Sequence, residues 1–190
     1  MDIQAREAAD PAPAPAGAAA PVPAPAGAAA PVHLRAVTFA HPDAVRLNDR
    51  VQFEYAERYG DEGDVTPLDP TMFEPPRGLY LIAYDEHGTA LATGGWRRMD
   101  ENGEGYQDGD AELKRMYVTP EARGLGLARR ILAALEADAK AAGRVRMVLE
   151  TGTKQPEAIT LYTSSGYIPA PAKFGHYRFD DLSRCYAKAL

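Results

Sequence analysis

The chain has one cysteine, Cys185, in its 190 residues, so no disulfide can close within it. Its four histidines, His33, His41, His87 and His176, are scattered, and no spacing suits a tetrahedral zinc site. A reducing cytoplasm and no bound metal are the expectations. No run of about 18 apolar residues occurs, which excludes a membrane-spanning helix. Basic residues are in deficit: 21 Lys+Arg against 27 Asp+Glu give a net charge of -6. A general nucleic-acid binder needs a basic face to neutralise phosphates, so that class is excluded as well. An export signal is also missing. The N-terminus carries Asp2, Glu7 and Asp10, and its apolar part is alanine broken by proline, not a continuous apolar run.

What is present begins with a repeat. Residues 13–22 read PAPAGAAAPV, and residues 23–32 repeat the same letters. Proline removes backbone donors, and alanine buries too little area to offset ordering entropy. Residues 1–32 therefore read as a disordered spacer, partly polyproline II, and residues 33–190 as one domain. Within that domain, residues 33–39 (HLRAVTF) alternate as a half-buried strand does. Pro42 opens a helix with Ala44, Leu47, Val51 and Tyr55 at spacings of three and four. Residues 60–76, rich in Asp, Gly and Pro, read as a loop with room for one helical turn. Residues 79–84 and 90–96 flank a polar turn and form a hairpin. A third strand, AELKRMYV, ends at Val118. A helix with Leu125, Ala128, Ile131, Leu132 and Leu135 on one face follows, and Gly143 ends it. Next come a buried-type strand at 145–150, a helix opened by Pro156 and closed by Gly166, and two terminal strands. The order β-α-β-β-β-α-β-α-β-β predicts an α/β domain with a mixed sheet.

The chemistry concentrates between the third hairpin strand and the next helix, at Arg123, Gly124, Leu125, Gly126, Leu127 and Ala128. Glycines admit a ligand to the backbone, and the first N–H groups of a helix lack internal partners and carry the positive end of its dipole. That combination suits a pyrophosphate. By themselves, the two glycines fit a tight strand–helix turn with no ligand equally well. A dinucleotide fingerprint requires a third glycine where Arg129 stands, and a P-loop requires Gly-Lys-Ser/Thr. The pattern R-x-x-G-x-A is matched by Arg123, Gly126 and Ala128.

The segment ELKRMYVTPEARGLGLARRIL resembles the coenzyme A signature of the GNAT superfamily of N-acyltransferases. A second segment, LETGTKQPEAITLYTSSGY, is similar to the other half of that family's core. The resemblance implies a mostly antiparallel mixed sheet flanked by helices, with two parallel strands, 112–118 and 145–151, splayed at its centre. It implies acetyl-CoA as co-substrate, its pyrophosphate on the backbone of 123–128, and its pantetheine arm along Met116, Tyr117 and Val118. Spacing alone reads Tyr162 as a core aromatic packed with Ile159, whereas by the resemblance it matches the tyrosine that faces the thioester sulfur and protonates the departing thiolate. Gln155 stands where many relatives carry asparagine, which leaves that contact in doubt.

The implied activity is N-acetylation of a primary amine of a small molecule by direct attack in a ternary complex. A protein lysine or N-terminal acetyltransferase and a noncatalytic acyl-CoA-binding module are the alternatives, and a homodimer is left open. An alkylamine is mostly protonated at neutral pH, so it benefits from a base. Glu112 is the candidate, since some family members place a glutamate on this strand. The competing reading pairs Glu112 with Lys114 on the same strand face. Phe53, Tyr55 and Tyr177 are candidate acceptor contacts. Asp61, Glu62, Asp64 and Asp69, with six acids and no base from Asp100 to Glu112, would favour a cationic amine or simply form a solvated acidic surface. Cys185 reads as a small buried hydrophobe. Because the decapeptide repeat has no core-forming pattern, deletion of residues 1–32 is expected to leave both the melting temperature and acetyl-CoA affinity unchanged. Thermal denaturation and calorimetry of the truncated chain check this.

Overall fold

A computed structural model describes residues 31–60 and 63–190; all but the last two residues of the Ala/Pro segment, and Asp61 and Glu62, lie outside these. Seven strands form one sheet in the order β1-β2-β3-β4-β5-β7-β6. They are β1 (His33–Ala36), β2 (Gly78–Tyr84), β3 (Ala90–Met99), β4 (Asp110–Val118), β5 (Arg146–Gly152), β6 (Ile168–Pro169) and β7 (Ser183–Ala189). The helices are α1 (Pro42–Tyr59), α2 (Leu127–Ala141) and α3 (Pro156–Thr163). The alternation of strands and helices is the predicted one. The loop after α1 holds one 3-10 turn, Pro70–Phe73.

Local chemistry sets the boundaries. At α1, Pro42 occupies the first turn, His41 Nδ1 accepts from the Asp43 amide at 3.1 Å, and Gly60 closes the helix with φ +78°. The β2–β3 turn is held by the Asp85 carboxylate, which accepts from the amides of His87 (2.9 Å) and Thr89 (2.7 Å). The sheet separates two apolar layers. On one side α2 buries Leu127, Ile131, Leu132, Leu135 and Ala139 with Trp96, Leu113, Met147 and Leu149. On the other, α1 buries Ala44, Leu47 and Val51 against Phe73, Tyr80 and Ile82. The Trp96 indole N–H reaches Asp138 Oδ2 at 2.8 Å, so this large ring is buried with its donor satisfied.

Two irregularities at the centre of the sheet shape everything near the site. All pairs are antiparallel except β4–β5, whose parallel register runs only through Asp110↔Arg146, Ala111↔Met147 and Glu112↔Val148. Beyond Glu112 the two strands part. In addition, β4 bulges against β3. Between the pairs Gly95↔Lys114 and Thr93↔Tyr117, Arg115 and Met116 stand opposite Gly94 alone. Arg115 takes φ +58°, the one positive φ at a non-glycine residue among the described residues. A Cβ on Gly94 would meet the Met116 side chain at Sδ, so Gly94 leaves room for that side chain on the sheet face. Leu135 is fully buried between α2 and the sheet. Leu135→Ala is expected to lower the unfolding free energy by about 2–5 kcal/mol while preserving acetyl-CoA affinity, measurable by urea denaturation and calorimetry.

Candidate active site

The parting of β4 and β5 opens a cleft of about 130 Å³ through the sheet. β4 contributes Leu113 to Met116, β5 contributes Glu150 to Gly152, and α3 contributes Ala158 and Tyr162. On the α1 side, Tyr55, Tyr59, Asp64 and Tyr177 complete the wall. Two loops meet over this face: the Val65 amide donates to Tyr177 Oη at 2.7 Å, and Tyr177 Oη donates to the Gly63 carbonyl at 3.4 Å.

At the outer end of β4 the chain turns through a 3-10 segment, Pro120–Ala122, into α2. Gly124 and Gly126 have φ of +83° and +74°, which L side chains rarely adopt. A Cβ at either would meet no protein atom within 4 Å. Gly126 is the N-cap of α2 and brings no side-chain hydrogen bond to it, so the first amides of the helix have no side-chain cap. This cradle fits a pyrophosphate. The Arg123 side chain turns away and holds the turn to α1 through Glu54 at 2.6 Å. Leu127 faces the core, and Leu125 is exposed. Met116 lines the cleft, Tyr117 is buried in the α1-side core, and Val118 packs toward α2. The β5-facing edge of residues 113–118 has no parallel ladder partner.

Tyr162 is 5% exposed, stands edge-on to Tyr167 at 5.7 Å, and lines the cleft. Burial raises its pKa well above the usual phenol value, so it is a protonated donor at neutral pH. Tyr55 and Tyr177 lie on the acceptor-side wall, whereas Phe53 is 65% exposed and does not line the cleft. Gln155, where a family asparagine was expected, does line it and donates to Tyr59 Oη at 3.3 Å.

Glu112 lies below the cleft floor, fully buried at the last β4–β5 pair. It accepts from Arg97 Nε at 2.7 Å and Tyr106 Oη at 2.8 Å, and pairs with Lys114 Nζ at 3.1 Å. Burial pushes its pKa up, but the Lys114 and Arg97 cations and the bonds from Arg97 and Tyr106 outweigh this and hold it below the usual carboxylate range. The Lys114 pairing anticipated on strand geometry is present, and Glu112 is not among the residues lining the cleft.

The carboxylate that does reach the cleft is Glu150, which sequence reading passed over. Its Oε1 accepts from Ser183 Oγ at 2.6 Å, whereas its buried Oε2 has no hydrogen-bond partner. Burial raises its pKa above the ordinary carboxylate value, with nearby Glu112 adding to the rise and Ser183, Lys114 and the Tyr177 backbone opposing it. The available signal was a lone acid closing the apolar strand VRMVLE. His176 is exposed, and Cys185 is buried with its Sγ 3.6 Å from the Phe174 carbonyl. Among the described residues, no group of three His, Cys, Asp or Glu could hold a metal ion, and no helix is long and apolar enough to cross a membrane.

The comparisons agree with this geometry. The family model for the acetyltransferase (GNAT) family matches residues 45–167. An "IAA acetyltransferase" of Azospirillum brasilense is 36% identical over 134 residues, 67% of this chain and 82% of that protein. An uncharacterized N-acetyltransferase of Schizosaccharomyces pombe is 33% identical over 120 residues, 60% of this chain and 70% of that protein. Among solved structures, a Klebsiella pneumoniae protein provisionally assigned as an acyl-CoA N-acyltransferase superposes with a TM-score of 0.66 at 28% identity, covering 84% of this chain and 97% of that one. The chain is an acyl-CoA-dependent acyltransferase by fold and sequence. It belongs to the GNAT acetyltransferase family.

Because Gly126 combines a left-handed backbone with an N-cap that brings no side chain, and a Cβ there would meet no protein atom, Gly126→Val is expected to weaken acetyl-CoA binding by about 100-fold, the equivalent of one or two lost charge-assisted hydrogen bonds. Calorimetry checks it, with circular dichroism showing the fold retained.

Proposed function

We propose that the protein is an N-acetyltransferase that moves an acetyl group from acetyl-CoA to a primary amine of a small molecule in a ternary complex. The observation that carries this reading is the pairing, in one cleft, of a buried tyrosine donor, Tyr162, with a carboxylate, Glu150, that has an unpartnered oxygen. The relative named an IAA acetyltransferase supports a small-molecule acceptor.

Acetyl-CoA supplies the thioester, whose C–S bond breaks as the C–N bond to the amine forms. The amides at 123–128 hold the pyrophosphate. The unpaired backbone edge at Met116–Val118 holds the pantetheine arm. Glu150 Oε2 takes the proton released by the attacking amine, directly or through one water. Its raised pKa suits this role, because a carboxylate held nearer neutrality is a stronger base than an ordinary one. Tyr162 Oη delivers a proton to the leaving thiolate. Glu112, engaged by three donors and held below the ordinary pKa range, sets the field around Lys114 and fixes the floor of the cleft.

Thiol release from acetyl-CoA with a panel of amines tests the activity. The assignment of the base has its own test. Glu150→Gln is expected to lower kcat/KM for a basic alkylamine about 100-fold or more at pH 7, with recovery as pH rises and the amine loses its own proton. An arylamine, already neutral at pH 7, is expected to lose far less. Glu112→Gln is expected to impair both acceptors alike and to lower stability, because it removes the anion shared by Arg97 and Lys114. The reverse pattern, with the contrast appearing in Glu112→Gln, returns the base to Glu112.

A further inference from the structure

Five buried side-chain polar atoms have no hydrogen-bond partner among the described residues, and three of them belong to residues lining the cleft: Arg115 Nη1, Glu150 Oε2 and Thr151 Oγ1. Buried polar groups are ordinarily satisfied, so orphans gathered in one cavity describe what the cavity is built to receive. Thr151 alternates onto the opposite sheet face from Glu150. That leaves a guanidinium nitrogen and a carboxylate oxygen facing the acceptor side.

Arg115 is placed there at a cost. It occupies the β4 bulge with φ +58°, a conformation unfavourable for a residue with a Cβ. Its side chain is 7% exposed. Nη2 donates to the Asp64 carbonyl at 3.2 Å, and Nη1 lies 3.2 Å from Asp64 Oδ2 without a hydrogen bond between them. Asp64 Oδ1 is already taken by the Thr66 amide at 2.9 Å. The guanidinium is thus anchored and turned into the cleft with donor capacity left over. Lys114, beside it on β4, also lines the cleft and is equally buried. Across the gap, Glu150 lies two residues beyond the last parallel pair on β5, and Arg115 lies three beyond it on β4.

An acceptor that is a simple cation, such as a polyamine, would satisfy Glu150 but set its charge against Lys114 and Arg115 and leave Nη1 orphaned. A neutral amine would do no better at Nη1. An acceptor carrying both an ammonium and a carboxylate satisfies both walls at once. We infer that the acceptor is an amino carboxylate, a free amino acid or a close analogue, whose carboxylate is held by Arg115 Nη1 while its amino group faces Glu150. This inference rests on the acetyl-transfer reading above and narrows its substrate class.

The test compares free L-amino acids with their carboxamides, pair by pair, in thiol release from acetyl-CoA by the full chain. The best acid is expected to exceed its amide by about 10- to 100-fold in kcat/KM, the worth of a hydrogen bond to a charged group. In Arg115→Gln that ratio is expected to collapse toward one, chiefly through a raised KM for the acid, and Arg115→Lys is expected to restore part of it. Should the single variant unfold because Asp64 is left without its cation, the double variant Asp64→Asn, Arg115→Gln removes both charges and carries the same expectation. Amides that match or exceed their acids in the wild type overturn the inference, as does an undiminished ratio in the Arg115 variants. If no amine of either series releases thiol, the acetyl-transfer reading fails. Thermal protection by acids and amides in the presence of coenzyme A then decides the carboxylate preference independently, and equal protection overturns it.

Discussion

The parallel pairing of β4 with β5 lasts three residue pairs and stops at Glu112↔Val148. The remaining architecture of the site follows from that stop. Two strands that separate in the middle of a sheet expose backbone donors and acceptors on facing edges, and such groups are costly to leave without a partner. A ligand that can pair like a strand fits one of those edges. The rest of the gap becomes a cleft connecting the two faces of the sheet. At the fork sits a fully buried carboxylate, Glu112, gripped by Arg97, Tyr106 and Lys114. Removing one member of such a cluster strands a buried charge, a loss of about 3–5 kcal/mol, so the fork is pinned where it is.

The two carboxylates at the ends of this fork divide their work by environment. Glu112 is surrounded by donors and cations that stabilise its charged form. Glu150, two residues past the last pair on the neighbouring strand, is half-buried, with one oxygen on the Ser183 hydroxyl and the other buried without a hydrogen-bond partner, and desolvation raises its pKa. The same residue type is a fully engaged anion in one place and, in the mechanism proposed above, the proton acceptor in the other. Tyr162 is buried too, and burial raises its pKa, which keeps it a donor. A carboxylate and a phenol thus face one cavity.

The bulge in β4 adds a further constraint. Arg115 and Met116 stand opposite Gly94 alone, and the extra residue takes Arg115 out of the strand's alternation toward Asp64 and the cleft. Bulges re-aim side chains next to active sites, and this one turns a residue that alternation would have directed elsewhere into part of the cleft wall. Tyr177 and Asp64 bring two distant loops onto the same wall, and the Tyr177–Val65 hydrogen bond ties those loops together.

What the sequence determined by itself was set by local chemistry. Periodicity of two and of three to four, prolines at helix starts and glycines at helix ends define the order of elements, because each depends on neighbours within a few residues. The glycine turn at 124–126 was equally legible: its left-handed backbone is a local demand, and it stands between a strand and a helix. Tyr162 could be placed through its motif. Tertiary structure decided which carboxylate faces the cleft, since Glu112 and Glu150 are indistinguishable as letters on apolar strands and differ only in what packs around them. It decided as well that Phe53 points to solvent while Tyr55, two residues on along the same helix, reaches the cleft. The bulge at Arg115 forms against Gly94 across the sheet, a relation between residues far apart in the chain. Contacts of that range are created only when the strands pair, so no local pattern encodes them.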